Sequence, residues 1–143
     1  LQARDDLDGA IREYQQAESL RPEDATGNNA LGAALVAQGN PARATEFLRK
    51  AIQVRTDYFD AHYNLAFALA GQNDFAEAAK EFQTALRLRP DDAGAEANLG
   101  VALAQMGRYG EAKEHLERAL QIDPEQPVAK ENLEALKREM SAH

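Results

Sequence analysis

Histidines and clustered carboxylates are the residues of this chain whose types could support catalysis or metal binding. The histidines are His62, His115 and His143, and no Ser/His/Asp or two-histidine-plus-carboxylate spacing can be drawn on one helix around them. The nearest arrangement is Glu111 with His115, four residues apart and therefore on one helix face. Such a pair could ligate a metal ion, but it is more often a solvated surface contact, which is what we predict.

Other motifs that carry chemistry are incomplete. Gly27 and Gly32, in the stretch GNNALGAAL, are not followed by the Lys-Ser/Thr pair of a phosphate-binding loop. The acidic clusters at residues 5–8 and 91–92 lie where helix ends are expected and lack the alternating ligands of a calcium loop. The chain has no cysteine, which excludes disulfides and thiolate metal sites. We therefore expect no catalysis and no cofactor.

The charge balance and the hydropathy pattern restrict the partners. With 24 acidic and 16 basic residues the formal net charge is -8, which argues against a protein that binds phosphate backbones through basic patches. No apolar run approaches the roughly 20 residues that span a bilayer, and no charged leader precedes an apolar segment. We expect neither a nucleic-acid partner nor membrane contact by this segment, and the compartment stays open.

An internal sequence repeat specifies the secondary-structure elements that would position any functional site. Residue types recur at a spacing of 34 in several columns that keep the same register. The clearest columns are Ala10, Ala44, Ala78, Ala112; Ala17, Ala51, Ala85, Ala119; Leu31, Leu65, Leu99, Leu133; and Tyr14, Leu48, Phe82, Leu116. A period of this length is typical of repeat proteins whose units stack on their neighbours.

Each repeat is predicted to break into two helices. Gly39, Asn73 and Gly107 share a column, and these residue types tolerate the left-handed conformation that ends a helix. Over residues 25–126 we therefore predict six antiparallel helices with turns at those positions. The predicted N-cap residues are Asn40 and Asp74 for second helices, and Asp24 and Asp92 for first helices.

Small residues occupy positions where an amphipathic helix would normally carry Leu or Ile. Gly32, Ala66 and Gly100 share one column of the first helix and face the alanine columns of the second. We predict that they let paired helices approach closely, because a larger side chain there would overpack the contact.

With these columns in place, the chain resembles the tetratricopeptide repeat family, whose 34-residue pattern runs Leu-Gly, Tyr, Ala-x-x-x-Phe and Pro. The stretch from NLGVAL to IDP, residues 98–124, fits it well. The resemblance implies an all-α, right-handed superhelical solenoid of antiparallel helix pairs. Its divisions would be a partial repeat at 1–24 that is mostly a second helix, repeats at 25–58, 59–92 and 93–126, and a capping helix at 127–143. The chain departs from the pattern in the early bulky column, which holds Asn28, His62 and Glu96, and in the Tyr column, which holds Leu35, Leu69 and Leu103.

The start of the chain enters the repeat part-way. Leu1 falls in the column of Leu35, so only the last turn of a first helix is expected there. The second helix would then lack a partner over Ala10, Tyr14 and Ala17, and exposed apolar patches attract partners. We interpret the chain as a fragment of a longer repeat protein, with self-association through this open face as the alternative.

The resemblance also implies a ligand site, on the inner wall formed by the first helix of each repeat. The wall residues would be Asn29, Ala33 and Val36; Asp60, Tyr63, Asn64, Phe67 and Ala70; and Ala97, Asn98, Val101 and Gln105. Family members that bind chaperone tails hold a C-terminal carboxylate with a Lys-plus-Asn clamp. The corresponding positions here are Asn29, Ala33, Asp60 and Gly94, so the clamp is not carried over.

Two features of this wall suggest binding. Asn64, Asn98 and Asn132 recur at the repeat spacing and could hold a peptide backbone, which resembles the asparagine ladder of O-linked N-acetylglucosamine transferases; alternatively they only stabilise their helices. Tyr63 and Phe67 are four residues apart and so are expected to be neighbours. They form a predicted hot spot unless Phe67 belongs to the core.

We therefore predict a non-catalytic scaffold that binds a peptide or a helical protein segment in this groove. The alternative is that the array is the substrate-recognition arm of a larger enzyme, such as a glycosyltransferase, whose catalytic domain lies outside these residues.

Overall fold

The computed structural model describes residues 2–142, so Leu1 and the third histidine, His143, lie outside the described part. Within residues 2–142 the chain forms eight α-helices and no strand. They are α1 (Gln2–Leu20), α2 (Ala25–Gln38), α3 (Pro41–Val54), α4 (Phe59–Gly71), α5 (Phe75–Leu88), α6 (Ala93–Gln105), α7 (Tyr109–Ile122) and α8 (Pro127–Ala142). The chain divides into two compact units, Leu1–Asn73 with α1 to α4 and Asp74–His143 with α5 to α8.

In the first unit, α2 is the central helix. It packs against α1, α3 and α4, and α3 also packs against α4. Leu31 and Leu35 of α2 are fully buried together with Leu48 of α3, and the core alanines Ala44 and Ala51 of α3 are equally inaccessible. The first-unit core therefore includes leucines of α2 and α3 together with alanines of α3.

The second unit repeats this arrangement with α6 at its centre. The helix packs against α5, α7 and α8, and α7 also packs against α8. Leu99 and Leu103 of α6 are buried with Leu116 of α7, and Ala112 and Ala119 of α7 are fully inaccessible. The leucine and alanine columns found by spacing are thus core positions in both units, except for the alanines on α1.

The three predicted turn positions are confirmed. Gly39, Asn73 and Gly107 have φ angles of 88°, 63° and 77°, in the left-handed region that glycine and asparagine adopt at low cost. After α2, the Gly39 amide donates to Val36 O and the Asn40 amide to Leu35 O, which satisfies carbonyls at the end of the helix. Residues 25–126 accordingly form six helices.

The predicted N-cap positions are right, but the capping hydrogen bond forms at only two of the four. Asp74 accepts from the Glu77 amide at 3.4 Å, and Asp92 accepts from the Ala95 amide at 2.8 Å. Asp24 and Asn40 lie at the N-cap without a side-chain capping bond. After Asn40, Pro41 begins the helix and removes one amide that would need an acceptor.

The start of the chain corrects one expectation. Residues 2–20 form one continuous helix, so no separate last turn of a preceding helix exists among them. Asp5 occupies the column of Gly39 and Leu7 that of Pro41, and neither supplies the turn chemistry that interrupts the later repeats. On this helix Tyr14 is 37% exposed, Ala17 is exposed and Ala10 is half-buried.

The glycine column confirms the expected close approach of paired helices. A Cβ at Gly32 would overlap the Leu48 side chain, and a Cβ at Gly100 would lie 2.8 Å from Leu116 Cγ and 3.1 Å from the Ala112 carbonyl oxygen. The distance to Leu116 is shorter than a Cβ atom tolerates and the distance to the carbonyl oxygen is tighter than usual, so the neighbours would have to shift. The bulky leucines opposite these glycines leave no room for a side chain.

Replacing Gly100 with alanine should therefore lower the free energy of unfolding by about 1–3 kcal/mol, because the added methyl overpacks the α6/α7 contact. Gly110→Ala on α7 is the matched control, since a Cβ there meets nothing within 4 Å and alanine is the better helix former by up to about 1 kcal/mol. Urea unfolding followed by circular dichroism measures both. Equal stability of the two variants would contradict the close approach.

Candidate functional site

Three aromatic rings lie along α4 at successive helical turns. Tyr63 and Phe67 have ring centroids 5.0 Å apart in an edge-to-face arrangement, which confirms that they are neighbours. Phe59 stacks on Tyr63 at 5.5 Å, an extension that the sequence interpretation missed although the four-residue spacing continues to it. Phe59 is buried, whereas Tyr63 and Phe67 are half-buried. The rings therefore form an aromatic ladder with one end in the core.

An amide pair connects α2 to α4 beside this ladder. Asn64 donates from Nδ2 to Asn29 Oδ1 at 3.0 Å, and Asn29 donates to the Tyr58 hydroxyl at 3.4 Å. Both asparagines are half-buried, as is Ala33 of α2, while Asp60 of α4 is exposed. We call the surface formed by Asn29, Ala33, Asp60, Tyr63, Asn64 and Phe67 the α2/α4 wall.

The α2/α4 wall carries little charge. Asp60 is its one ionisable carboxylate and it holds no lysine or arginine. Val36 and Ala70, which were also predicted to face the ligand, are half-buried. Any ligand of this surface would be held by apolar contact and amide hydrogen bonds instead of ion pairs.

The predicted wall residues of the second unit behave differently. Asn98 donates to Gly94 O at 2.9 Å and Asn132 donates to Val128 O at 2.7 Å, each four residues back on its own helix. Val101 is half-buried and Gln105 is exposed. Asn98 and Asn132 thus each use one N–H group to stabilise their own helix, as the alternative interpretation expected. Asn64, in contrast, donates to another helix.

One wall residue was assigned wrongly. Ala97 is fully buried and belongs to the core of the second unit. It shares the column of Asn29 and Tyr63, whose longer side chains are half-buried, whereas the methyl group of Ala97 is inaccessible.

The column that departs from the family pattern holds the buried polar residues Asn28, His62 and Glu96, which are 1%, 7% and 3% exposed. Asn28 donates to Pro22 O at 2.9 Å, and His62 Nε2 lies 2.8 Å from Thr56 O, so in each case a side chain donates to the carbonyl six residues earlier. Because a carbonyl oxygen can only accept, Asn28 and His62 are the donors of these bonds. Each bond ties the loop before a helix to that helix.

Glu96 has no donor when ionised and makes different contacts. It accepts from His115 Nδ1 at 2.7 Å and from Arg118 at 3.4 Å, both on α7. The prediction that His115 is a surface partner of Glu111 is wrong, since Glu111 pairs with Arg108 instead. Glu96 and His115 are 19 residues apart on different helices, so residue spacing on one helix could not predict their contact. The carboxylate of Glu96 in a column that normally holds a bulky apolar residue was the one sequence signal of a buried polar contact.

No group of three or more His, Cys, Asp or Glu side chains arranged to hold a metal ion is found within residues 2–142. In the same part of the chain, none of the helices has the length and apolar character needed to cross a membrane.

The comparisons with known proteins agree with this architecture. One family model, described as tetratricopeptide repeat, matches residues 35–93 and 69–136, and a second, described as TPR repeat, matches residues 3–39. The chain therefore belongs to the tetratricopeptide repeat family, whose fold commonly mediates protein–protein interactions. A comparison with curated proteins found no match.

Among solved structures, the chain is similar to MamA. One MamA crystal structure is 26% identical, with a TM-score of 0.89 over 98% of this chain and 82% of that one; a second is 27% identical, with a TM-score of 0.86 over 96% and 75%. The first TPR domain of Spaghetti (RPAP3), solved with an HSP90 peptide, is 22% identical with a TM-score of 0.78, over 82% of this chain and 93% of that one. These likenesses support the all-α tetratricopeptide fold over nearly the whole chain.

Proposed function

We propose that this chain is a non-catalytic protein-interaction module that holds an extended or helical segment of a partner protein on the α2/α4 wall. The observation that carries the proposal is the aromatic ladder of α4 beside the Asn29–Asn64 amide pair. Aromatic side chains supply much of the binding energy of protein interfaces, because they bury a large area with few rotatable bonds. The half-buried Tyr63 and Phe67 present such area on a rigid helix.

The amides supply contacts that do not depend on the ligand sequence. A side-chain amide has two N–H donors and a carbonyl acceptor, and Asn64 uses one donor for Asn29. The remaining capacity suits the main chain of a segment that lies across α2 and α4. Asn98, Val101 and Gln105 of α6 are proposed as a contact surface of the same kind in the second unit.

A protein of related fold has been solved with a peptide bound. The RPAP3 domain was solved with an HSP90 peptide bound, but its identity to this chain supports the fold alone. The α2/α4 wall has no basic side chain for a terminal carboxylate. We therefore propose internal segments with apolar side chains as ligands, in preference to acidic C-termini.

The test is to select random 16-residue peptides on the wild-type chain and to measure their binding to a variant with a blocked wall. Ala33→Trp should abolish binding of most selected peptides, because the indole adds bulk to the α2/α4 wall one helical turn from Asn29. Ala42→Trp is the matched control, since Ala42 is exposed on α3. Peptides that bind Ala33→Trp as tightly as wild type would show that the ligand lies elsewhere.

Replacing Asn64 with alanine should weaken binding of unrelated selected peptides to a similar extent, by about 0.5–1.5 kcal/mol per lost hydrogen bond. The reason is that an amide holding a backbone discriminates little among side chains. Isothermal titration calorimetry with three unrelated peptides measures this. Losses confined to one peptide would mean that Asn64 reads a side chain.

A further inference from the structure

A pocket of about 450 Å³ lies in the second unit. Leu86 of α5 and Pro90 of the following loop line it, with Leu99 of α6 and with His115 and Arg118 of α7. Its apolar side chains come from three different segments of the chain. The pocket is therefore a pre-formed concavity of a size that can receive a side chain or two of a partner.

The accessible charge of this pocket is positive, although the chain as a whole is acidic. Arg87 and Arg118 both line it, and the Arg118 side chain is 54% exposed. The carboxylate among its lining residues is Glu96, whose side chain is only 4% exposed and already accepts from His115 and Arg118. A ligand that enters meets guanidinium groups before it meets a carboxylate.

Both arginines keep donors for a ligand. A guanidinium has five N–H groups; Arg87 donates one to Thr84 Oγ1 at 2.9 Å, and Arg118 donates to Glu96 at 3.4 Å. The planar guanidinium matches a carboxylate in a two-bond contact. Glu96 also holds His115 through Nδ1, which leaves the other ring nitrogen of this pocket residue for a ligand.

We propose that this pocket binds an acidic side chain of a partner protein together with an adjacent aliphatic side chain. The carboxylate pairs with Arg87 and Arg118, and the aliphatic group packs on Leu86 and Leu99. The residues of this site belong to α5, α6, α7 and the loop after α5, and none of them belongs to the α2/α4 wall.

The test uses three probes added to the isotope-labelled chain in nuclear magnetic resonance titrations. The first is the capped peptide acetyl-Leu-Glu-Glu-Leu-amide, the second is its neutral match with glutamine in place of glutamate, and the third is free glutarate. We expect the acidic peptide to shift resonances of residues 83–90 and 115–118 and to bind at least tenfold more tightly than either of the others. Arg87→Gln and Arg118→Gln should each weaken it at least fivefold, while Arg49→Gln, at an exposed position of α3, leaves it unchanged.

The results that would overturn the proposal are the following. Equal binding of the neutral peptide would remove the role of the arginines, and glutarate binding as tight as the peptide would make the pocket a small-carboxylate site. Arg87→Gln is the decisive variant, because Glu96 is paired with His115 and Arg118 and stays paired when Arg87 is lost. Unchanged affinity in that variant, or an absence of shifts at the pocket, would end the assignment.

Discussion

Replacing His115 with alanine is expected to lower the free energy of unfolding by about 2–4 kcal/mol, because it removes the nearest partner of a buried carboxylate. Glu96 is 3% exposed, and His115 Nδ1 lies 2.7 Å from its Oε2. The remaining partner, Arg118, is 3.4 Å away and mostly exposed, so it compensates only in part. Urea unfolding of the purified variant measures the loss.

The matched variant is Glu96→Leu, which removes the charge instead of its partner. It restores the bulky apolar residue that the family pattern places in this column. The side chains of its two partners, His115 and Arg118, are 21% and 54% exposed, so water can solvate them once the carboxylate is gone. We expect this variant to unfold within about 1 kcal/mol of wild type. If His115→Ala were as stable as wild type, or if Glu96→Leu were the more damaged of the two, the buried-charge interpretation of the column would fail.

Replacing Tyr63 with alanine is expected to weaken binding of peptides selected on the wild-type chain by about 2 kcal/mol or more, which is the range of an interface hot spot. The ring lies between Phe59 and Phe67, so its removal breaks the aromatic ladder at the centre. Salt should change the affinity only modestly, since the α2/α4 wall holds Asp60 as its one charged residue and isolated exposed charges are screened within about 8 Å at physiological ionic strength.

The control for this variant is Tyr14→Ala, which removes a tyrosine that is 37% exposed on α1. It should bind selected peptides as wild type does. Calorimetry at low and high salt separates the possibilities. Full affinity of Tyr63→Ala, or binding lost through salt alone, would move the site from the α2/α4 wall to the acidic surface of the chain.

Much of the fold could be predicted because its determinants are local and repeated. A turn at Gly39 or Gly107 requires a left-handed residue whatever the rest of the chain does, and the 34-residue spacing brings that residue back in each repeat. The close approach at Gly100 was predicted from the same spacing, because small residues recur in its column. The structure places the Leu116 side chain against this glycine. The continuous α1 was missed because Asp5 lacks the turn chemistry of the column that it occupies.

The candidate site was only partly predictable, because its contacts join helices that are far apart in sequence. The neighbouring rings of Tyr63 and Phe67 followed from four-residue spacing on one helix. The bond between Asn64 and Asn29 spans 35 residues and the contact between His115 and Glu96 spans 19. Contacts between residues so far apart in sequence depend on how one helix packs against another, and the spacing of residues within one helix does not determine that packing.

The most direct measurement of the central claim is a crystal structure of this chain with one peptide selected on it. The proposal predicts that the peptide lies across α2 and α4, with an apolar side chain against Tyr63 and Phe67 and a main-chain group within hydrogen-bond distance of the Asn64 amide. A peptide seated on α1 or α3, with the aromatic ladder uncovered, would contradict it.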